Sequence, residues 1–269
     1  MHNAAYEALA MDRAYVACHV TPERLREALR AIPALGLLGV NLTVPHKERA
    51  VRMMAQLTDE ARLLHAVNCA INRNGELHGD NTDARGLEAD LCDQDVTVAG
   101  KLAVIIGAGG AASAAVLAAI RLGAARIVIC NRTIARANRL ARSFAQYLGA
   151  RGGGRPHETI EARGLDALIN PTTIGAAGIV INATPMGLKT GGFAQLSYAS
   201  APADCVFYDM IYARDATPFL APAIANGRRA IDGAGMLINQ GVLAFELFNG
   251  VAPPPGVMRT ALMAALGRT

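Results

Sequence analysis

The sequence predicts an α/β protein of two domains, and three observations carry that reading. Between residues 99 and 234, apolar runs suited to buried parallel strands alternate with helical segments. Over residues 1–98, shorter strand and helix signals are interrupted by one antiparallel hairpin, which points to a mixed sheet. From residue 235 the chain turns helical. The expected organisation is a mixed-sheet α/β domain over 1–98, a doubly wound domain over 99–234, and closing helices over 235–269.

Bulk properties narrow the function. A chain of 269 residues, 52% hydrophobic and 18% charged, has the composition of a folded protein with real cores rather than of a disordered one. No run of about 18 apolar residues is free of charge, so no membrane span is expected. The opening "MHNAAYEALAMDR" lacks the basic and apolar regions of a secretory signal. Cys18, Cys69, Cys92, Cys130 and Cys205 are odd in number and form no C-x-x-C pair. That usage predicts a reduced, cytoplasmic protein without a structural metal. A net charge of +4 suits small anionic ligands, and no basic run suggests nucleic acid.

In the first domain, "EALA" opens a short helix and "AYVACHV" (14–20) reads as a strand. "TPERLREALRAI" (21–32) reads as a helix capped by Thr21, with Pro22 in its first turn and Glu23 meeting the dipole. "LLGVNLTV" (37–44) reads as a strand that ends at Pro45, behind which a helix begins. Asn74-Gly75 then joins two strand-like runs as a tight hairpin. The helix "DARGLEADL" follows, with Asn81 or Thr82 placed to cap it.

In the second domain, "LAVIIGAGGAASAAVLAAIRLGAARIVICNRT" is one βαβ unit. "GIVINAT", "CVFYDMI" and "RAID" supply further strands, and "GARGGGRPHE" (149–158) reads as a surface loop. The closing segment contains "MLINQGVLAFELFNG" and "GVMRTALMAALG", two helices split by a proline-rich turn.

The glycine turn fits G-x-G-x-x-A. Gly107 allows a tight turn, Gly109 lets backbone approach a pyrophosphate, and Ala112 permits close helix–strand packing. It follows a strand and opens a helix, so free N–H groups and the helix dipole face an anion. About twenty residues past the first glycine, where an NAD site carries an acid, stand Asn131 and Arg132. A guanidinium there favours NADP, because it suits a 2′-phosphate and no carboxylate repels one. Asn182 and Thr184 end another strand, at the sheet edge where ligands lie.

Lys47 poses a separate question. It stands in the first turn of a helix, where a cation is unwelcome unless a carboxylate or an anionic ligand lies close. A snorkelling surface lysine is the plainer alternative. Asp83 is a candidate partner, at what reads as a helix start, although Asp59, Glu60 and Asp80 are not excluded by spacing.

Taken in order, "NLTVPHK", "AVNCAI", "GDNTDARG", "GAGGAA", "NRT", "INATPMG", "YDMIYARDATPFL" and "DGAGMLINQGVLAFELFNG" resemble the shikimate dehydrogenase family along nearly the whole chain. The resemblance implies NADP-dependent, reversible reduction of 3-dehydroshikimate to shikimate in aromatic amino-acid biosynthesis. It implies a substrate domain, a Rossmann-type NADP domain, ligands in the cleft between them, and C-terminal helices that return to the first domain. It makes Lys47 and Asp83 the catalytic pair and assigns Thr43, Asn68, Tyr212 and Gln240 to the substrate. Gly107, Gly109, Gly110, Ala111, Asn131, Arg132 and Thr133 would hold NADP, with Asn182, Thr184, Met210 and Gly233 near its nicotinamide half. The family pattern also places a strand and an S-x-S-P turn shortly before "HN", whose serines hold the substrate carboxylate. Here the chain starts at Met1-His2-Asn3, so it reads as N-terminally truncated relative to that pattern. Gly178 stands where the family commonly has an aspartate.

Two alternatives accompany this reading. One is a quinate/shikimate or aminoshikimate dehydrogenase with the same pair. The other, of a different class, is a catalytically weak NADP-binding paralog or sensor. Monomer and homodimer are both compatible with the sequence.

Overall fold

The computed structural model describes residues 1–150, 159–187 and 192–268, and every structural statement below concerns those residues. The chain separates into two compact units, one formed by Met1–Gly86 with Leu237–Thr269, the other by Leu87–Met236.

Elements of the first stretch are α1 (His2–Ala8), α2 (Leu25–Ala34), β1 (Gly39–Asn41), α3 (Lys47–Ala50), β2 (Gln56–Leu57), α4 (Asp59–Leu64), β3 (Cys69–Arg73), β4 (Glu76–Asp80) and α5 (Asp83–Asp93). The second unit holds β5 (Leu102–Ile106), α6 (Gly110–Arg121), β6 (Arg126–Cys130), α7 (Ile134–Ala150), β7 (Thr159–Arg163), α8 (Pro171–Gly175), β8 (Ala177–Asn182), β9 (Val206–Asp209), α9 (Leu220–Ala225) and β10 (Arg229–Asp232). The chain closes with α10 (Ala234–Asn249) and α11 (Val257–Ala265).

In the first unit the sheet order is β1-β3-β4-β2, antiparallel except for the parallel β2–β4 pair, so the expected mixed sheet is present. Asn74 and Gly75 turn the β3–β4 hairpin with φ of 55° and 92°, the left-handed pair that a two-residue turn of this hand requires. Leu25, Leu29 and Ile32 recur at helical spacing on α2 and pack with Leu42, Val67, Ala70 and Leu77 into one core. The C-terminal helices return to this unit, where α11 packs on α1.

The second unit is a parallel sheet of order β10-β9-β8-β5-β6-β7. Strands β5 and β8 are buried along their whole length, which explains their unbroken apolar sequences. The order reverses at β5: its next strand, β6, lies on one side and β8 on the other. Ligands of such sheets sit outside the carboxyl ends of the strands at that switch point.

Several local expectations need correction. Residues 14–20 form no strand. Asn3 instead takes the backbone of Tyr15, its Nδ2 donating to Tyr15 O at 2.9 Å and its Oδ1 accepting from Tyr15 N at 2.6 Å. One side-chain amide thus replaces a ladder partner. Helix α2 begins at Leu25, after a turn in which Arg24 N donates to Thr21 O at 3.0 Å, so Thr21 does not cap it. The strand expected over 37–44 is only Gly39–Asn41 long, and Val44 beyond it is 79% exposed. Of the loop expected over 149–158, residues 151–158 lie outside the described residues, while Gly149 and Ala150 belong to α7.

The composition change at 98/99 falls in the turn just ahead of β5, whereas the compact units divide at 86/87 inside α5 and at 236/237 inside α10. The last turns of α5 pack with the second unit: Tyr208 on β9 donates to the buried Asp90 carboxylate at 2.6 Å.

Candidate active site

In the first unit the structure joins Lys47 to Asp83. The ladder of β1 ends at Asn41, the chain turns through Thr43 O···H–N His46 at 2.8 Å with Pro45 inside the turn, and α3 opens with Lys47. Asp83 is the first residue of α5, where the helix dipole favours a carboxylate. Lys47 Nζ lies 2.8 Å from Asp83 Oδ2, with the two side chains 21% and 7% exposed. The pair is therefore largely shielded from solvent and less screened by salt than a surface ion pair.

The other carboxylates are engaged elsewhere. Asp80 accepts from Thr58 Oγ1 at 2.7 Å and from Arg85 Nη2 at 2.6 Å. Glu60 lies 3.6 Å from Arg85, and Asp59 pairs with Arg62 at the surface.

Asp83 is braced from behind. Asn68, buried at the end of the loop before β3, donates through Nδ2 to Asp83 Oδ1 at 2.8 Å and to Thr82 Oγ1 at 2.9 Å. Its Oδ1 accepts from Thr82 N at 2.9 Å. Asn81 supplies the cap anticipated for this helix, its Oδ1 accepting from Asp83 N at 3.0 Å while its Nδ2 donates to Ala66 O. Gln240 on α10 joins the cluster through Thr82, whose hydroxyl lies 3.4 Å from Gln240 Oε1. Lys47, Asp83, Asn68 and Gln240 thus share one site. Thr43 is exposed in the turn ahead of Lys47. Tyr212, 41% exposed, belongs to the second unit.

The second unit carries the glycine turn at the switch point. Gly107 has φ of +121°, and a Cβ there would lie 3.0 Å from Ala183 O, so the turn after β5 touches the turn after β8. Gly109 is extended, and a Cβ on it would meet nothing within 4 Å, which leaves its backbone open to a ligand. Gly110 and Ala111 follow in the first turn of α6, with their N–H groups at the positive end of a 12-residue helix. Ala112 is fully buried, as close packing requires. Past β6, Asn131 Nδ2 donates to Thr133 O at 2.9 Å, and Arg132 and Thr133 are exposed at the start of α7. An open glycine turn on a helix N-terminus, with an exposed guanidinium after the second strand, fits a dinucleotide bearing a 2′-phosphate.

Asn182 ends β8 fully buried, and its Oδ1 accepts from Thr184 N at 3.0 Å and Thr184 Oγ1 at 2.7 Å. Met210 N donates to Asn182 O at 3.0 Å, and a Cβ on Gly233 would lie 2.5 Å from Met210 O. These four residues are therefore neighbours. Behind them stands Asp209, which the sequence reading missed. Burial pushes its carboxyl up from the usual range, and bonds from Thr217, Ile211 and Asn182 offset part of that rise. The available signal was an acid inside the apolar run "CVFYDMI".

Three family profiles cover much of the chain: the shikimate dehydrogenase substrate binding domain over residues 1–70, shikimate / quinate 5-dehydrogenase over 90–152, and the shikimate 5'-dehydrogenase C-terminal domain over 233–263. The chain is 38% identical over 269 residues to a shikimate dehydrogenase (NADP(+)) of Geobacter metallireducens, covering 100% of this chain and 92% of that one. Among solved structures, shikimate 5-dehydrogenase of Thermus thermophilus in complex with NADP(H) and shikimate is similar at a TM-score of 0.84 and 31% identity, covering 98% of this chain and 92% of that one. A 5-ketofructose reductase of Gluconobacter sp. strain CHM43 is similar at a TM-score of 0.82 and 33% identity, with coverage of 98% and 92%. With family profiles matching along the chain and relatives 35–40% identical over nearly all of it, this chain belongs to the shikimate dehydrogenase family.

Proposed function

We propose that this protein catalyses the reversible, NADP-dependent reduction of 3-dehydroshikimate to shikimate, with Lys47 and Asp83 as its catalytic pair. The observation that carries the reading is the shielded 2.8 Å contact between them in a chain of this family. NADPH, when bound, supplies the hydride. As the ring carbonyl is reduced, negative charge grows on its oxygen, and the Lys47 ammonium stabilises that charge and donates the proton. In the reverse direction the same amine takes the proton back. One of the three ammonium donors goes to Asp83, leaving two for substrate. Asp83 holds the ammonium through Oδ2 and keeps acceptor capacity for a neighbouring substrate hydroxyl. Gln240 contributes a further polar edge to this site, and Thr43 and Tyr212 are the remaining substrate-contact candidates.

Gly107, Gly109, Gly110 and Ala111 would cradle the pyrophosphate, while Asn131, Arg132 and Thr133 would take the adenosine side with its 2′-phosphate. Asn182, Thr184, Met210 and Gly233 would line the nicotinamide side. A cytoplasmic setting fits the five cysteines, all of which are free thiols.

Initial rates with 3-dehydroshikimate and NADPH or NADH, and with shikimate or quinate and NADP+ or NAD+, test the reading. The expected result is preferred turnover of the shikimate pair with the phosphorylated cofactor. Preference for quinate, or for 5-ketofructose as the carbonyl substrate, would overturn the substrate assignment, and preference for NADH would overturn the role of Arg132.

A further inference from the structure

We propose that Asp209 is the positioning residue of the cofactor-side turn, acting through Asn182 to fix the place and hydrogen-bonding polarity of Thr184 and Met186; the inference rests on the reading of that turn as lining the nicotinamide half. Asp209 ends β9 directly beside Asn182 at the end of β8, paired in register. Both are fully buried at the carboxyl ends of their strands, the side on which ligands of such sheets bind.

The chain of bonds runs one way. Thr217 accepts from Leu220 N at 3.3 Å, so its own hydroxyl hydrogen goes to Asp209 Oδ2. Asp209 Oδ1 accepts from Ile211 N at 3.1 Å and from Asn182 Nδ2 at 2.8 Å. A carboxylate only accepts, so it forces the amino end of the Asn182 amide inward and the carbonyl end toward Thr184. That carbonyl takes both the N–H and the O–H of Thr184, and the Thr184 oxygen takes Met186 N at 3.2 Å. Thr184 is left with acceptor capacity only, so the ligand atom it meets must be a donor. Met210 is tied to the same post through Asn182 O. Without the carboxylate, the Asn182 amide is free to turn over, which would present a donor to Thr184 and undo the turn.

A merely structural carboxylate would weaken both halves of the nucleotide site alike or neither, whereas this one acts first on the nicotinamide half, through Thr184 and Met186. The test compares NADP+ with 2′,5′-ADP, which carries the 2′-phosphorylated adenosine and no nicotinamide. Asp209→Ala should weaken NADP+ binding about tenfold while 2′,5′-ADP stays within about twofold, the expected scale for losing one charge-assisted hold. Asp209→Asn keeps an oxygen for Asn182 and should lose about threefold for NADP+ only, so it reads the idea even where the alanine variant does not fold. Phe207→Leu, on the same strand and in the apolar core, should lower stability and leave the ratio of the two affinities unchanged. Parallel weakening of both ligands by the Asp209 variants, or unchanged NADP+ affinity, would overturn the proposal. Absence of 3-dehydroshikimate turnover in the wild-type protein, with the affinity split intact, would sink the substrate reading instead.

Discussion

Replacing Asn68 by Ala separates bracing of Asp83 from direct contact with substrate. Asn68 is 2% exposed, and its amide is engaged three times by Asp83 and Thr82 at 2.8–2.9 Å. Its loss removes one hydrogen bond to a carboxylate, a change of about 1.5–3 kcal/mol, and strands the buried Thr82 N–H, which costs about 1–3 kcal/mol more. Water can enter the space left by the amide and recover part of this, so the net expectation is about 2–4 kcal/mol. That corresponds to a fall of roughly 5–15 °C in the transition of the first unit. Asp83 would then be held by Lys47 and its dipole alone, and a carboxylate displaced by a fraction of an ångström should lower kcat about tenfold. Thermal denaturation and steady-state kinetics with 3-dehydroshikimate measure both. An N68A protein with an unchanged melting transition and kcat, and only a raised KM for 3-dehydroshikimate, would refute the bracing role and make Asn68 a substrate contact.

Two other expectations follow from single residues. Gly107→Ala places a Cβ at φ of +121° and 3.0 Å from Ala183 O, so the turn must shift. NADP+ affinity should fall at least about tenfold, with about 1–3 kcal/mol of lost stability; calorimetric titration showing wild-type affinity would contradict the cradle. His2 stacks on Tyr15 at 4.2 Å between ring centroids, and burial lowers its pKa to about 4 from 6.5. The unfolded chain takes up a proton there that the folded one refuses, so stability is lost as pH falls from 6.5 to 4, on the order of 3 kcal/mol in full. Denaturation curves of His2→Phe should be flatter than wild type across that window, and parallel pH profiles would exclude the effect.

The features legible in the sequence are those whose chemistry is local. Asn74-Gly75 announces its hairpin because few residues accept two left-handed positions in succession. The runs "LAVII" and "RIVIC" announce parallel strands because both faces are covered. Asn81 could be seen as a cap for α5 since its partner is two residues away. Features that depend on distant segments were hidden. Residues 14–20 have the apolar content of a strand, but whether the backbone meets a ladder or the side chain of Asn3 is decided elsewhere. Strand β7, "TIEAR", is short, carries two charges and gave no strand signal, yet it pairs along β6 in full. The Lys47–Asp83 contact spans 36 residues, so only the family resemblance singled out Asp83 among four carboxylates. Asp209 stayed unnoticed because its partners Asn182 and Thr217 lie on separate segments of the chain.

Lys47→Ala, assayed with 3-dehydroshikimate and NADPH, tests the central claim most directly. If Lys47 is the proton donor, kcat falls by about 10² or more while NADP+ affinity is unchanged. A variant that keeps most of its turnover and loses only substrate affinity would show that the amine binds the substrate without moving its proton.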